Sequence, residues 1–318
     1  MEVTVMSENI KNVAPNNTSL HVMKEKDMNQ VNRTAKVMKV LGYIAVYAFL
    51  IFMAVIVLFP FYWMLISSVK DIYEYNLSVP TLWPKVIHFD NYARALVAAN
   101  LERVFLNTVY VGIVSTLLSL VITVLSAFAF ARLEFKGRDA LFAGLLATMM
   151  IPGELFTITN YQTTFAFGWN KTDTWGFTIL IVPFLVSTFY IYLLKQNFLQ
   201  IPNELYLAAK VDGVSDLKYL WKVMIPLALP TLVSITILKM MGAWNTYVWP
   251  NLVIKDKDYL LVTNGIRGGD YSVEGAIDMI DYPVQMAAVT MVSIPLFIVF
   301  LFFRKYIMKG VSRSGIKG

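Results

Sequence analysis

The sequence has no cysteine, only two histidines and few charged residues. The absence of cysteine excludes disulfide bonds and thiolate chemistry. His21 and His88 lie far apart in the chain, and no group of His, Asp or Glu has the spacing of metal ligands. The long apolar segments contain no histidine and no paired carboxylates. The sequence therefore indicates neither a catalytic set nor a metal site.

Charge is scarce throughout the chain. Of the 318 residues, 15% are charged and 57% are hydrophobic, whereas a soluble domain carries roughly 25% charged residues. A soluble core of this size would leave large apolar patches in water, so the composition predicts a membrane protein in contact with lipid. The net charge of +6 could suggest a nucleic-acid partner. Basic residues also collect in the cytoplasmic loops of membrane proteins, and we expect no nucleic acid.

Six apolar segments are long enough to cross the hydrocarbon core, which takes about 20 residues of helix. The first two contain no charged residue, the third is interrupted at residues 152–154, and the fifth carries Lys239. The sequence therefore predicts an all-α, polytopic membrane protein with six transmembrane helices. Within a transmembrane domain of residues 40–318, the predicted spans are about 40–69, 104–131, 140–167, 174–194, 226–253 and 282–303.

The segment before the first span, residues 1–39, is polar and has no apolar core of a signal peptide. We interpret it as a cytoplasmic tail without stable structure. Lys and Arg are concentrated in this tail, in the loops after the second and fourth spans, and at the C-terminus. By the positive-inside rule, this distribution predicts that both termini are cytoplasmic.

The predicted cytoplasmic loop 201–226 has the pattern of two short helices. Pro202 suits a first helical turn, Asp212 and Gly213 form a turn signal, and Ser215 is a candidate N-cap for the second helix. Two such helices would make a compact knob. From these features alone, an ordinary amphipathic loop is the alternative.

The order of residues in this loop resembles the EAA loop of ABC importer permeases. The shared features are Ala208 and Ala209, then Asp212 and Gly213, then an aliphatic stretch that ends at Pro226. Further segments resemble the maltose-type sugar permeases of that family, in particular their smaller permease subunit. These segments are residues 59–63, 107–108, 127–132, 135–138, 244–245, 249–250 and 310–318.

The resemblance implies a type I ABC importer permease fold and a subunit that moves a sugar or oligosaccharide across the bacterial cytoplasmic membrane. It implies three kinds of partner: a second homologous permease subunit, two ATPase subunits and an extracytoplasmic sugar-binding protein. The chain has no phosphate-binding loop of its own, so we expect no enzymatic activity and no cofactor, with ATP bound by the ATPase subunits. The residues implied to couple the permease to the ATPase are Glu204, Ala208, Ala209, Asp212, Gly213 and Pro226.

The loop departs from the family pattern at one position. Leu207 stands where the family has a Glu that contacts the ATPase. Glu204 lies three residues earlier and falls on nearly the same helix face. Either Glu204 replaces the family Glu, or that contact is missing.

Polar and aromatic residues in the third and fifth spans are candidates for the translocation path. Lys239 would cost about 2.5 to 3.5 kcal/mol facing lipid, so it should face the bundle interior, a partner subunit or water. The interruption of the third span indicates either a transport path or a simple kink, and the fifth-span aromatics suit either sugar stacking or packing and interfacial anchoring. The candidates are Glu154, a possible counter-charge for Lys239, with Asn160, Tyr161, Gln162, Lys239, Trp244, Asn245 and Tyr247.

Two other classes of function fit a polytopic helical protein. An ion channel or secondary transporter would work alone, and it has no need of a loop that docks an ATPase. Inverted repeats, which would favour a carrier, are not apparent in the sequence. An intramembrane enzyme would need reactive side chains inside the spans, and these are missing. The pattern of the 201–226 loop therefore favours the importer subunit.

Overall fold

A computed structural model describes residues 17–169, 172–273 and 279–312. Within these ranges the chain is helical, and strand-like pairing is limited to one isolated antiparallel bridge between Ser272 and Ile280. The all-α prediction is confirmed. The helices are α1 (Asn17–Ser68), α2 (Ile72–Tyr75), α3 (Asp90–Ala98), α4 (Leu101–Arg132), α5 (Arg138–Thr148), α6 (Gly153–Ala166), α7 (Thr172–Ile181), α8 (Thr188–Leu199), α9 (Asn203–Val211), α10 (Asp216–Tyr219), α11 (Ile225–Leu227), α12 (Leu229–Asn245), α13 (Val248–Val253), α14 (Val262–Arg267) and α15 (Tyr282–Ser312).

The chain divides into two compact units, residues 1–63 and 64–318. The described part of the first unit is one long stretch of α1. The apolar side chains of this stretch, from Val37 to Phe59, are exposed on every side of the helix. A helix that is apolar all round and unburied by its own chain needs lipid or another subunit to cover it.

The start of α1 differs from the sequence prediction. The helix begins at Asn17, whereas an unstructured tail was expected as far as residue 39. Residues 17–39 contain neither Pro nor Gly, the two residues least favourable in a helix, so the polar segment continues the apolar helix backwards. The tail prediction is corrected for these residues, and residues 1–16 lie outside the described ranges.

Three described helices are long and apolar enough to cross a membrane: Lys36–Ser68 within α1, Leu101–Arg132 (α4) and Tyr282–Arg304 within α15. Three bent pairs of helices pass the same test of length and apolar composition. The count of six is reached when each pair is taken as one span. The pairs are Arg138–Thr148 with Gly153–Ala166, bent by 97°, Trp175–Phe184 with Thr188–Leu199, bent by 49°, and Asp216–Leu227 with Leu229–Asn245, bent by 80°.

The bends in the fourth and fifth spans were not predicted. The fourth span was expected to be continuous, but a 3₁₀ turn at Val182–Phe184 separates α7 from α8. Pro183 has no N–H to donate, and its ring disfavours a helical conformation in the residue before it. The fifth span was expected over residues 226–253. Instead α12 starts after Ala228 and ends at Asn245, and α13 follows as a separate helix.

Helix α4 is the central element of the second unit because it contributes to all three buried clusters. Phe128 lies in the cluster with α8 and α10, Val104 in the cluster with α3 and α15, and Val111 in the cluster with α7 and α13. Gly112 lets α12 approach closely, since a Cβ at that position would lie 3.2 Å from Cε of Met240. Small residues at helix contacts are typical of packing inside membranes.

The loop after α1 is held by a buried polar cluster. Glu74 accepts a hydrogen bond from the Thr81 hydroxyl at 2.6 Å and another from the Lys85 N–H at 3.0 Å. Lys70 is 1% exposed and donates to the Thr81 carbonyl. Burial alone would raise the pKa of Glu74, but the hydrogen bonds from Thr81 and Lys85 and the charges of Lys70 and Lys85 hold that pKa below its ordinary value.

Candidate functional site

The loop between the fourth and fifth spans folds as the two short helices that the sequence predicted, α9 and α10. Helix α9 ends in a Schellman motif: the N–H of Val214 donates to the Ala209 carbonyl at 2.8 Å, and the N–H of Gly213 donates to the Lys210 carbonyl at 3.1 Å. Gly213 has a φ of +72°, a value that side chains with a Cβ rarely adopt. The turn between the two helices therefore depends on Gly213.

The polar side chains of this turn do not close it. The Asp212 carboxylate accepts no hydrogen bond from the described part of the chain, and Asp212 donates its own N–H to the Ala208 carbonyl at 3.0 Å. Ser215 is the N-cap of α10, as predicted, yet its side chain makes no capping hydrogen bond. Backbone hydrogen bonds close the turn, so the side chains of Asp212 and Ser215 are left facing outward.

Polar side chains tie α9 to α10 below this turn. The Tyr206 hydroxyl donates to Oδ1 of Asp216 at 2.8 Å, and Nζ of Lys210 lies 2.7 Å from the same oxygen. Burial and the hydrogen bond to Asp216 raise the pKa of Tyr206, and the hydrogen bond to Asp216 likewise raises the pKa of Lys210. The Tyr206 ring also packs 5.2 Å from the ring of Tyr219. We call residues 203–219, the two helices with their shared turn, the knob.

Arg132 fixes the base of the knob to the membrane helices. Its guanidinium donates to the carbonyls of Phe198, at 2.9 Å, and Ile201, at 2.6 Å. These carbonyls lie at the C-terminal end of α8, where a cation also complements the helix dipole. Arg132 is 7% exposed. In the sequence Arg132 stands out only as part of a segment shared with the family, and its hydrogen bonds to these two carbonyls were not predicted.

The outer face of the knob is apolar and exposed. Val211 is 89% exposed, Leu207 is 56% exposed, and Ala208 and Glu204 are also exposed. Ala209 is half-buried against the cluster of α4, α8 and α10. Glu204 and Leu207 are both solvent-accessible and one helical turn apart, so the carboxylate can reach a surface that contacts position 207. Pro226 lies apart from this face, within α11.

The second candidate region is a cavity of about 330 Å³ beside the break in the fourth span. Its lining comes from α4, from the segment between α7 and α8, and from α12 and α13. Lys239 projects into it from α12, and its ammonium donates to the backbone carbonyl of Phe184, which the break at Pro183 leaves without a helical partner. Non-helical backbone at membrane depth is tolerated where it lines a cavity.

Glu154 does not meet Lys239. The ammonium of Lys239 is bonded to Phe184, and Glu154 lies exposed in the first turn of α6, with no ion pair between the two residues. Asn160 and Gln162 are also on α6, with Asn160 half-buried and Gln162 exposed. Tyr161 is half-buried, and its ring lies 4.5 Å from that of Phe165. None of these four residues lines the described cavity.

The other three fifth-span candidates, Trp244, Asn245 and Tyr247, do not line the cavity. Trp244 is 8% exposed and packs edge-on against Phe105, with ring centroids 5.2 Å apart. In this conformation Trp244 is therefore a packing residue and its ring is not available for sugar stacking. Asn245 donates to the Met241 carbonyl at 2.9 Å. Tyr247 lies under the guanidinium of Arg267 at 5.0 Å. Only Lys239 among the predicted path residues lines the cavity.

Sequence reasoning missed the cavity residues that surround Lys239. They come from the segment around Pro183 and from the neighbouring helices, and the overlooked signal was a proline inside an apolar span. The residues with functional side chains are Ser115, Phe184, Ser187, Tyr190, Thr246 and Trp249.

Comparisons with known proteins agree with this architecture. Residues 28–313 match the family described as the binding-protein-dependent transport system inner membrane component. The diacetylchitobiose uptake system permease protein NgcG of Streptomyces coelicolor is 32% identical, over 84% of this chain and 87% of that protein. The arabinooligosaccharides transport system permease protein AraQ of Bacillus subtilis is 28% identical, over 86% and 96% respectively.

Among solved structures, a chain of a bacterial ABC transporter involved in the import of the acidic polysaccharide alginate superposes with a TM-score of 0.74. It is 24% identical to this chain, and the match covers 84% of this chain and 96% of the other. The structural match supports the fold of the helical domain, and the family match extends over most of the sequence. The chain therefore belongs to the family of binding-protein-dependent transport system inner membrane components, the permeases of ABC importers.

Proposed function

We propose that this chain is one permease subunit of an ATP-driven importer that carries a sugar or oligosaccharide across the bacterial cytoplasmic membrane. The relatives named for arabinooligosaccharides and diacetylchitobiose support the carbohydrate substrate. The observation that carries the proposal is the knob, a pair of short helices with an exposed apolar face centred on Leu207, Ala208 and Val211. A surface of this kind suits a protein partner.

The knob is connected mechanically to the cavity. Tyr219, Leu220 and Met224 are each at most 1% exposed and pack with Leu194 and Phe198 of α8. The chain then continues through a π-helical stretch, Leu220–Met224, and α11 into α12, which carries Lys239. A displacement of the knob would be transmitted through this packed segment to the cavity wall, since close-packed interiors transmit strain.

In the proposed cycle, the knob docks on an ATPase subunit, and a homologous permease docks on the other one. ATP binds more tightly to the closed ATPase pair than to the open pair. ATP binding therefore closes the ATPase pair, draws the two knobs together and opens the translocation path to the outside. An extracytoplasmic binding protein delivers the sugar. We propose that both termini and the knob are cytoplasmic, in agreement with the excess of Lys and Arg in those segments. ATP is bound by the partner, and this chain needs no cofactor or enzymatic activity of its own.

The proposal is tested by reconstituting the purified complex in proteoliposomes with its binding protein. The probes are radiolabelled arabinotriose, diacetylchitobiose and alginate trisaccharide, the sugar classes of the named relatives and structural neighbour. We expect uptake of at least one carbohydrate only when ATP, the ATPase subunits and the binding protein are all present. Uptake that continues without ATP would instead indicate a channel or a secondary transporter.

A further inference from the structure

Lys239 is the one basic residue among the described residues that line the cavity beside the break in the fourth span. These described lining residues include no Asp or Glu, and Tyr190 is the other titratable side chain among them. The ammonium of Lys239 donates to an uncharged acceptor, the carbonyl of Phe184, and it forms no ion pair within the described part of the chain. A charge at membrane depth is costly unless it is paired or solvated. The cavity thus carries a positive charge that no described residue compensates.

Three hydroxyl groups on the cavity wall have no hydrogen-bond partner among the described residues. The side chains of Ser187, Tyr190 and Thr246 line the cavity, and their hydroxyls make no hydrogen bond with any described residue. Each can both donate and accept a hydrogen bond. Hydroxyls with unused capacity on a cavity wall match a solute that itself presents many hydroxyls.

Aromatic rings complete the wall. The Tyr190 ring lies 6.0 Å from Nζ of Lys239, and the exposed ring of Phe184 packs edge-on against Trp249 with centroids 5.5 Å apart. Trp249 is itself fixed, since its indole N–H donates to the Ile179 carbonyl at 2.9 Å. An apolar ring face with a few convergent polar groups is the usual composition of a small-molecule site.

We propose that the solute of this importer is an anionic carbohydrate, a sugar acid whose carboxylate pairs with Lys239 in the cavity while its hydroxyls meet Ser187, Tyr190 and Thr246. This inference rests on the proposed function and narrows its substrate class. A hydroxyl of a neutral sugar could accept a hydrogen bond from the ammonium, but a neutral sugar would leave its positive charge unpaired. A carboxylate gives the ammonium a charge-assisted hydrogen bond in a site partly shielded from water.

The test measures equilibrium binding to the complete transporter in nanodiscs. The probes are trisaccharides of galacturonate, glucuronate and mannuronate, each supplied as the free acid and as the neutral methyl ester, so that the members of a pair differ only in charge. We expect the wild-type transporter to bind at least one acid roughly tenfold or more tightly than its ester, the range expected for a hydrogen bond to a charged group. We expect Lys239→Gln to reduce that ratio to about one and Lys239→Arg to retain part of it.

Lys255→Gln is the matched control, because Lys255 is an exposed lysine outside the cavity lining, and it should keep the wild-type ratio. The proposal is overturned if acids and esters bind alike, or if Lys239→Gln lowers the affinity for both forms equally. It is also overturned if Lys239→Gln abolishes co-purification of the second permease, since the ammonium would then pair with a carboxylate of that subunit. ATP-driven uptake of neutral sugars in any of these cases would leave the proposed function standing.

Discussion

Tyr206 and Asp216 join the two helices of the knob through one hydrogen bond of 2.8 Å between the tyrosine hydroxyl and Oδ1 of the aspartate. Lys210 shares the same carboxylate oxygen at 2.7 Å. Asp216 begins α10, while Tyr206 and Lys210 lie on α9, so these contacts fix the angle between the helices. That angle sets how the exposed face of the knob meets a partner.

Tyr206→Phe is expected to loosen the knob without disturbing its core. The variant keeps the ring contact with Tyr219 and loses the hydrogen bond to Asp216, which is worth about 1.5–3 kcal/mol when the acceptor is charged. We expect faster hydrogen exchange across residues 203–219, measured by mass spectrometry on the purified complex.

Tyr219→Phe is the matched control for this prediction. The Tyr219 hydroxyl is buried and finds no hydrogen-bond partner among the described residues, so its removal should be neutral or stabilising. Equal exchange in the two variants would show that the Tyr206 hydroxyl does not hold the helices together.

The polar cluster after α1 predicts a specific dependence on pH. Because the folded-state pKa of Glu74 lies below its ordinary value of 4.5, the charged carboxylate stabilises the fold fully above about pH 4.5, and this contribution is lost as the pH falls through the folded-state pKa. We expect Glu74→Gln to lower the thermal unfolding midpoint at neutral pH and to flatten its decline in acid. Glu102→Gln, at an exposed glutamate, should keep the wild-type profile. A Glu74→Gln profile parallel to that of the wild type would contradict the assigned role.

The proposed orientation is tested by single cysteines in this cysteine-free chain. Ser78 and Lys257 are exposed and lie in predicted outer loops, so cysteines there should react with a membrane-impermeant maleimide in intact cells. A cysteine at Ser215 should react only after the membrane is permeabilised. Tyr271 also lies in a predicted outer loop, but it is only 6% exposed, so a cysteine there would react poorly. Labelling at Ser215 in intact cells would contradict the proposed orientation and place the knob outside the cell.

Trp244 and Asn245 are adjacent in sequence and are expected to respond differently to truncation. Trp244→Ala removes a buried ring that packs on Phe105 and should cost about 3–5 kcal/mol of folding stability. Asn245→Ala, at an exposed position, should change stability by no more than about 0.5 kcal/mol. Thermal unfolding of both variants in detergent measures the difference. A stable Trp244→Ala protein that fails to transport would return this residue to the translocation path.

Much of the fold follows from the sequence because it rests on local signals. The apolar lengths of the spans and the turn signal at Asp212 and Gly213 are properties of neighbouring residues. The features that were missed depend on partners far along the chain. The guanidinium of Arg132 bonds to carbonyls 66 and 69 residues away, and Trp244 is buried by Phe105 of another helix.

The cavity could not be predicted from the sequence either, because it is formed by residues that are distant along the chain. A proline inside an apolar run marks either a simple kink or a break without telling the two apart, so the break at Pro183 passed as part of a continuous span. Lys239 was recognised as functional because a charge in a span is conspicuous by itself. Its bond to the Phe184 carbonyl became visible only when the two helices were placed together. The small polar residues around it, such as Ser187 and Thr246, give no signal above that of ordinary membrane helices.

Gly213→Val tests most directly whether the knob couples this permease to its ATPase. A β-branched side chain at φ +72° should strain the turn by on the order of 1–3 kcal/mol and displace α10. Gly137→Val is the matched control: Gly137 also has a positive φ, of +83°, and open space around its Cβ position, but it lies outside the knob. Ala209→Asp adds a charge to the half-buried side of α9.

The deciding measurement is co-purification of the ATPase subunits together with ATP-driven sugar uptake in proteoliposomes, for complexes whose permease reaches the membrane at the wild-type level. We predict that Gly213→Val and Ala209→Asp lose most ATPase binding and uptake, while Gly137→Val retains ATPase binding. Normal ATPase binding and normal uptake in both knob variants would contradict the coupling role of the knob.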